Sequence, residues 1–165
     1  MQHVQTRSTT SALVLTAVLI ALATLFTMYT KIPVPGIRGY FNVGDVVIMT
    51  SALLLGRKYG AYIGAIGPAL ADLFLGYAVF VPITFVVKGL EGYLVGTVYN
   101  NKTTTSALVA TIVGGIVIVA GYFIAEYFVF DPGVAIASIL TNTIQAVMSV
   151  IISMILYAIL RKRLG

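Results

Sequence analysis

The side chains of this chain that could do chemistry are few, and most interrupt apolar runs. Asp72, Thr84, Lys88 and Glu91 fall in one stretch; Tyr122, Glu126, Asn142 and Gln145 fall in two later ones. Thr84 and Lys88 are four apart, as are Tyr122 and Glu126, and Asn142 and Gln145 are three apart. Such spacings put two side chains on one face of a helix. Carboxylates, an ammonium, amides and phenols can orient a small polar molecule by hydrogen bonds while rings stack on it. They do not make a catalyst. The chain has no cysteine, and its one histidine, His3, sits beside the N-terminus. No G-x-x-x-x-G-K-[ST] loop and no carboxylate pair at metal-ligand spacing is present. No catalytic residue, metal or cofactor is expected; what remains is a binding site.

The elements that must position these groups are membrane helices. Of 165 residues, 59% are hydrophobic and 9% charged, and the mean hydropathy is +1.03. Soluble domains carry about 25% charged residues. The reading is an all-α integral membrane protein: one membrane domain over 1–165 with six transmembrane helices near 11–30, 44–56, 60–75, 82–99, 106–130 and 134–160. Met1 to Thr10 is expected to be a short polar tail rather than a cleavable leader, because the apolar run from Ser11 is long enough to span. An ionised group facing lipid costs several kcal/mol, so charges at membrane depth should face a protein-lined cavity and pair.

Lys31 to Asn42 carries Pro33, Pro35, Gly36 and Gly39, which rule out a helix. It is expected to be an extracellular lid loop after helix 1, bringing Tyr40, Phe41 and Asn42 beside the start of helix 2. Asp45, at that start, suits the positive end of the helix dipole, and this role is preferred over ligand binding. Gly56 to Gly60, with Arg57 and Lys58, reads as a tight basic turn. Pro68 should kink helix 3, and Pro82 should open helix 4 after an outer turn containing Tyr77. Asp72 is expected to pair with Lys88, and Lys88 with Glu91 three residues on; capping, or a ligand hydroxyl for Asp72, are the alternatives. For Glu126 the alternative is snorkelling to the headgroups; for Asn142 and Gln145, bonding a neighbouring helix. Tyr40, Phe41, Tyr77 and Tyr122 are candidates to stack on a ligand, and Asn42, Asp72, Thr84, Lys88, Glu126, Asn142 and Gln145 to hydrogen-bond it.

The net charge is +5, but the bases are not interleaved with aromatics on a polar face, so nucleic acid is not the partner. Arg7, Arg57, Lys58, Lys102, Arg161, Lys162 and Arg163 would lie on one side of the bilayer and Lys31 and Arg38 on the other. That asymmetry sets both termini in the cytoplasm of a multi-pass cell-membrane protein. The polar candidates then converge in the outer half.

The runs FNVGD, ALLLGRKYGAYIGAIGPALADLFLGY and PITFVVKGLEGY resemble the S component, the substrate-binding subunit, of energy-coupling-factor (ECF) vitamin transporters. The likeness is to the branch for riboflavin, hydroxymethylpyrimidine or pyridoxine and spans roughly Ser11 to Arg163. It implies capture of a small water-soluble vitamin, pyridoxine or hydroxymethylpyrimidine before riboflavin, and association with a transmembrane coupling (T) subunit and two ATP-binding subunits. Delivery would follow from toppling of the S component in the bilayer. Ala17 and Ala21 match an A-x-x-x-A contact to the coupling subunit; packing within the chain is the alternative, since small residues four apart admit any close helix. Two other classes remain: an autonomous ion-coupled secondary transporter using Asp72 and Glu126, and a membrane-embedded enzyme, which would need a cytoplasmic acid–base pair.

Overall fold

The computed structural model describes residues 9–33, 40–99 and 103–164. His3, Arg7, Pro35, Gly36, Arg38, Gly39, Asn100, Asn101 and Lys102 lie outside the described residues, as do the side chains of Phe41 and Arg163. The elements are α1 (Thr9–Tyr29), β1 (Ile32–Pro33), β2 (Tyr40–Phe41), α2 (Asp45–Leu55), α3 (Arg57–Phe74), α4 (Phe80–Val98), α5 (Thr104–Val129) and α6 (Pro132–Leu164).

The described residues form six helices, as the apolar runs require, but the helices are unequal. Thr10–Tyr29, Phe80–Val98, Thr104–Val129 and Pro132–Lys162 are long and apolar enough to cross a membrane. With 11 residues, α2 rises only about 16 Å, half the thickness of a hydrocarbon core. It is the enclosed helix, touching α1, α3, α4 and α6, with only Val47, Leu54 and Leu55 less than fully buried. Around it α3 packs on α1 and α4, and α5 on α4 and α6. The outer faces carry exposed aliphatic and aromatic side chains, among them Leu13, Val86, Ile116 and Leu140, the surface a lipid solvent favours.

Some boundaries differ from expectation for local reasons. The lid is not wholly irregular: β1 and β2 pair antiparallel, Ile32 with Phe41 and Pro33 with Tyr40, because a residue before proline is already extended. The basic turn shrinks to Gly56, whose φ of +89° lies in the left-handed region and reverses the chain in one residue; Arg57 and Lys58 therefore open α3. The fourth helix begins at Phe80, leaving Pro82 within its first turn, where no intrahelical partner for an N–H exists. The third runs through Pro68 as one helix. Two ends are capped: Thr103 accepts from the Ser106 N–H at 3.1 Å, and Asp131 from the Val134 N–H at 3.0 Å.

Between α3 and α4 the backbones almost touch. A methyl on Gly64 would collide with the Lys88 carbonyl, and one on Gly92 with the Gly60 carbonyl. Small residues provide this approach where lipid gives no hydrophobic drive for helices to associate. The contact also sets the register: Lys88 stands level with Gly64, so Asp72 stands level with Phe80.

Candidate functional site

Five helices and β2 turn their polar faces onto one cavity of about 40 Å³. From the lid come Tyr40 and Asn42; from α3, Pro68 and Asp72; from α4, Phe80, Thr84 and Lys88; from α5, Tyr122 and Glu126; from α6, Ser138, Thr141, Asn142 and Gln145; and α1 adds Thr27. Helical periodicity explains the set, since Pro68 and Asp72, Phe80 and Thr84 and Lys88, Tyr122 and Glu126, and Ser138 and Asn142 each repeat at four residues.

Of the ligand-contact candidates, Tyr40, Asn42, Asp72, Thr84, Lys88, Tyr122, Glu126, Asn142 and Gln145 line the cavity. Tyr77 does not. Its ring stands 4.9 Å from that of Tyr40 and 6.4 Å from that of Phe80, over a separate shallow depression with Phe80 and Phe130, so it meets the site indirectly, through those two rings. Phe41 contributes backbone to β2, and its side chain lies outside the described residues. Sequence reasoning passed over Thr27, Pro68, Phe80, Ser138 and Thr141 as contacts. All but Thr27 stand four residues before a chosen position, and extending each face by one turn would have found them.

The charged floor differs from expectation. Lys88 does not pair with Asp72. Its Nζ lies 2.5 Å from Asp45 Oδ1 and 3.5 Å from Glu91 Oε2, and all three side chains are at most 2% exposed. The expected Lys88–Glu91 contact is thus present, but as the looser of the two. The register of α3 on α4 gives the reason. Asp72 and Lys88 stand two helical turns apart along the axis, about 12 Å, whereas the short α2 delivers Asp45 to the lysine's own depth. Asp45 does occupy the first turn of α2, yet its side chain serves a larger purpose than the dipole. Its Oδ2 accepts from Gln145 Nε2 at 2.7 Å, and Gln145 Oε1 accepts from the Asn42 N–H at 3.0 Å. Asn42 Oδ1 in turn accepts from the Gly44 N–H at 2.8 Å. One chain of bonds therefore ties lid, α2, α4 and α6 together.

Nearer the lid, Tyr40 donates its hydroxyl to Asp72 Oδ1 at 2.6 Å. Burial first, then the adjacent Asp72 charge, holds this phenol well above the usual tyrosine range, so it remains a donor. Lys31 Nζ sits 5.0 Å from the centre of the Tyr77 ring and 5.9 Å from that of Tyr40, a cation–π contact at the base of the lid. Thr84 Oγ1 and the Tyr122 hydroxyl are 3.0 Å apart, and Lys88 Nζ lies 5.4 Å from the Tyr122 ring centre. Glu126 does not snorkel: it is buried and accepts from Ser138 Oγ.

Ala17 and Ala21 are far from this site in role. Both are exposed on α1, so internal packing does not explain their spacing. The inward contact of α1 is made instead by Ala23 and Thr24 against Gly67, with Thr24 Oγ1 donating to the Gly67 carbonyl at 2.9 Å.

The relatives of the chain agree with this architecture. It is 42% identical over 145 residues to an uncharacterized protein in gap 3'region of Pyrococcus woesei, covering 86% of this chain and 96% of that one. It is 30% identical over 149 residues to the thiamine precursor transporter HmpT of Lactococcus lactis subsp. cremoris, covering 89% of this chain and 83% of the relative. A solved structure described as the S component of a bacterial ECF transporter superposes with a TM-score of 0.72 at 22% identity, over 93% of this chain and 96% of that one. The family model of the ECF-type riboflavin transporter S component matches residues 7–162. With a match over almost its whole length, and a six-helix fold gathered on one polar cavity, the chain belongs to the ECF-type riboflavin transporter S component family.

Proposed function

We propose that this membrane protein captures a small water-soluble vitamin in the cavity beneath β2, and that a pyridoxine- or hydroxymethylpyrimidine-sized heterocycle is its substrate. The observation that carries the reading is the convergence of donors, acceptors and rings from the lid and five helices on a single cavity. The relative named as a thiamine precursor transporter supports a one-ring ligand. So does the volume. About 40 Å³ holds a few waters by this measure, so any vitamin must displace side chains or lift the lid, and one ring asks for the smaller displacement. Riboflavin is the second reading, favoured by the description of the matching family.

Vitamin capture is one step of import. The described residues offer no phosphate-binding loop, so energy would come from a transmembrane coupling subunit and two ATP-binding subunits, with the exposed Ala17 and Ala21 as the docking stripe. The excess of basic residues at the chain ends and at Arg57 and Lys58 supports cytoplasmic termini and an outward-facing lid.

A thermal-shift screen of the purified chain against water-soluble vitamins tests the reading. A ligand at 100 times its dissociation constant adds about 2.7 kcal/mol, a clear rise in melting temperature. Riboflavin carried through purification would colour the protein yellow, whereas pyridoxine would not. No shift with any vitamin would remove the capture role.

A further inference from the structure

Four of the chain's five acidic residues, Asp45, Asp72, Glu91 and Glu126, gather at or just behind this cavity, with Lys88 as the one cation among its lining residues. That lysine is already engaged by Asp45 at 2.5 Å and Glu91 at 3.5 Å. The charged groups left facing the space are two carboxyls, Asp72 and Glu126. Lys31 does not line it and lies over the Tyr40 and Tyr77 rings.

The unused hydrogen-bonding capacity points the same way. Asp72 is 3% exposed and Thr27 1%, and both line the cavity. Asp72 Oδ1 is taken by Tyr40 and the Thr84 hydroxyl stands close to the same carboxyl, while Asp72 Oδ2 and Thr27 Oγ1 make no hydrogen bond among the described residues. A buried acceptor left unmade costs about 1–3 kcal/mol, and more when charged. Such a cost is recovered when a ligand donates to it. Carboxylates in a medium of low dielectric also favour a partner of opposite charge over a neutral one.

We propose that this site selects a ligand that presents N–H or O–H donors and bears positive charge: a basic amino-substituted nitrogen heterocycle whose amidine-like edge meets Asp72, with Thr27 and Glu126 taking its remaining protons. This deepens the capture reading and rests on it. It also ranks the substrates, since an aminopyrimidine offers that edge and the flavin ring system is neutral.

The test is calorimetry on the full chain in lipid nanodiscs with three probes: 4-amino-5-hydroxymethyl-2-methylpyrimidine, its carbocyclic analogue 2-amino-4-methylbenzyl alcohol, and riboflavin. The pyrimidine is expected to bind at least tenfold more tightly than the carbocycle. Asp72→Asn, which keeps an acceptor for Tyr40, should erase most of that preference, and Glu126→Gln should reduce it, with the folded state checked by melting temperature. Equal binding of pyrimidine and carbocycle, or an undiminished preference in folded Asp72→Asn, would overturn the charge assignment. Tight riboflavin binding without pyrimidine binding would overturn it while leaving vitamin capture intact. Failure of every vitamin would overturn capture itself.

Discussion

At the scale of single residues, the cavity divides into groups that hold the protein and groups open to a ligand. Lys88, Asp45 and Gln145 are bonded to one another, and Glu91 stands 3.5 Å from the lysine as a second counter-charge. Lys88→Met is therefore expected to leave two buried carboxyls without a counter-charge and to destabilise the fold by about 3–5 kcal/mol. Adding Asp45→Asn should recover part of this, read by denaturant or thermal unfolding in detergent. Asn142 and Glu126 are different: Asn142 is only half-buried and makes no bond across to another helix among those described, and Glu126, bonded to Ser138, lines the cavity beside it. Replacing either with alanine should weaken the winning vitamin by tenfold or more with little change in melting temperature; unchanged affinity for both would move the site elsewhere. Tyr40→Phe removes the hydroxyl on Asp72 and should speed ligand release, measured as a higher off-rate by fluorescence or surface binding.

At the scale of elements, α3 and α4 act as one rigid hairpin because their glycines meet carbonyls of the facing helix. Gly64→Ala should cost about 1–3 kcal/mol through overpacking. It should also lower vitamin affinity, since it pushes on the backbone of Lys88 and hence on the Asp45–Gln145 chain; loss of stability without loss of affinity would uncouple the two. The exposed stripe of α1 calls for the opposite result. Ala17→Leu with Ala21→Leu alters a face that is exposed among the described residues. Vitamin binding by the isolated subunit should survive, while co-purification with the coupling subunit should fall sharply. Binding and assembly lost together would place these residues in the fold instead.

At the scale of the whole molecule, a subunit that captures but does not pump should fail to accumulate vitamin when reconstituted alone. Proteoliposomes holding only this chain are expected to show no uptake under a proton or sodium gradient, and uptake when the coupling and ATP-binding subunits and ATP are added. Gradient-driven uptake by the lone chain would favour the autonomous transporter, with Asp72 or Glu126 carrying the ion. The central, half-length α2 is the feature of the whole that makes a site possible. Because it stops short, its first residue ends at the depth of Lys88, and Asn42, just past the lid strand, joins the same network through Gln145.

Much of this could be read from the chain before any coordinates. Apolar runs far longer than a small core could bury required membrane helices, and the cost of charge in lipid required that Asp72, Lys88 and Glu126 turn inward. Spacings of three and four grouped Thr84 with Lys88, Tyr122 with Glu126 and Asn142 with Gln145 on single faces, because helix periodicity is local. Pairing between helices is not local. That Lys88 meets Asp45 and leaves Asp72 to Tyr40 was decided by the register of α3 against α4, through glycines whose contacts are carbonyls of the opposite helix, and by the depth at which α2 begins. A sequence states which residues share a face, but which faces share a level depends on how closely the backbones can approach, and only the packed molecule supplies that distance.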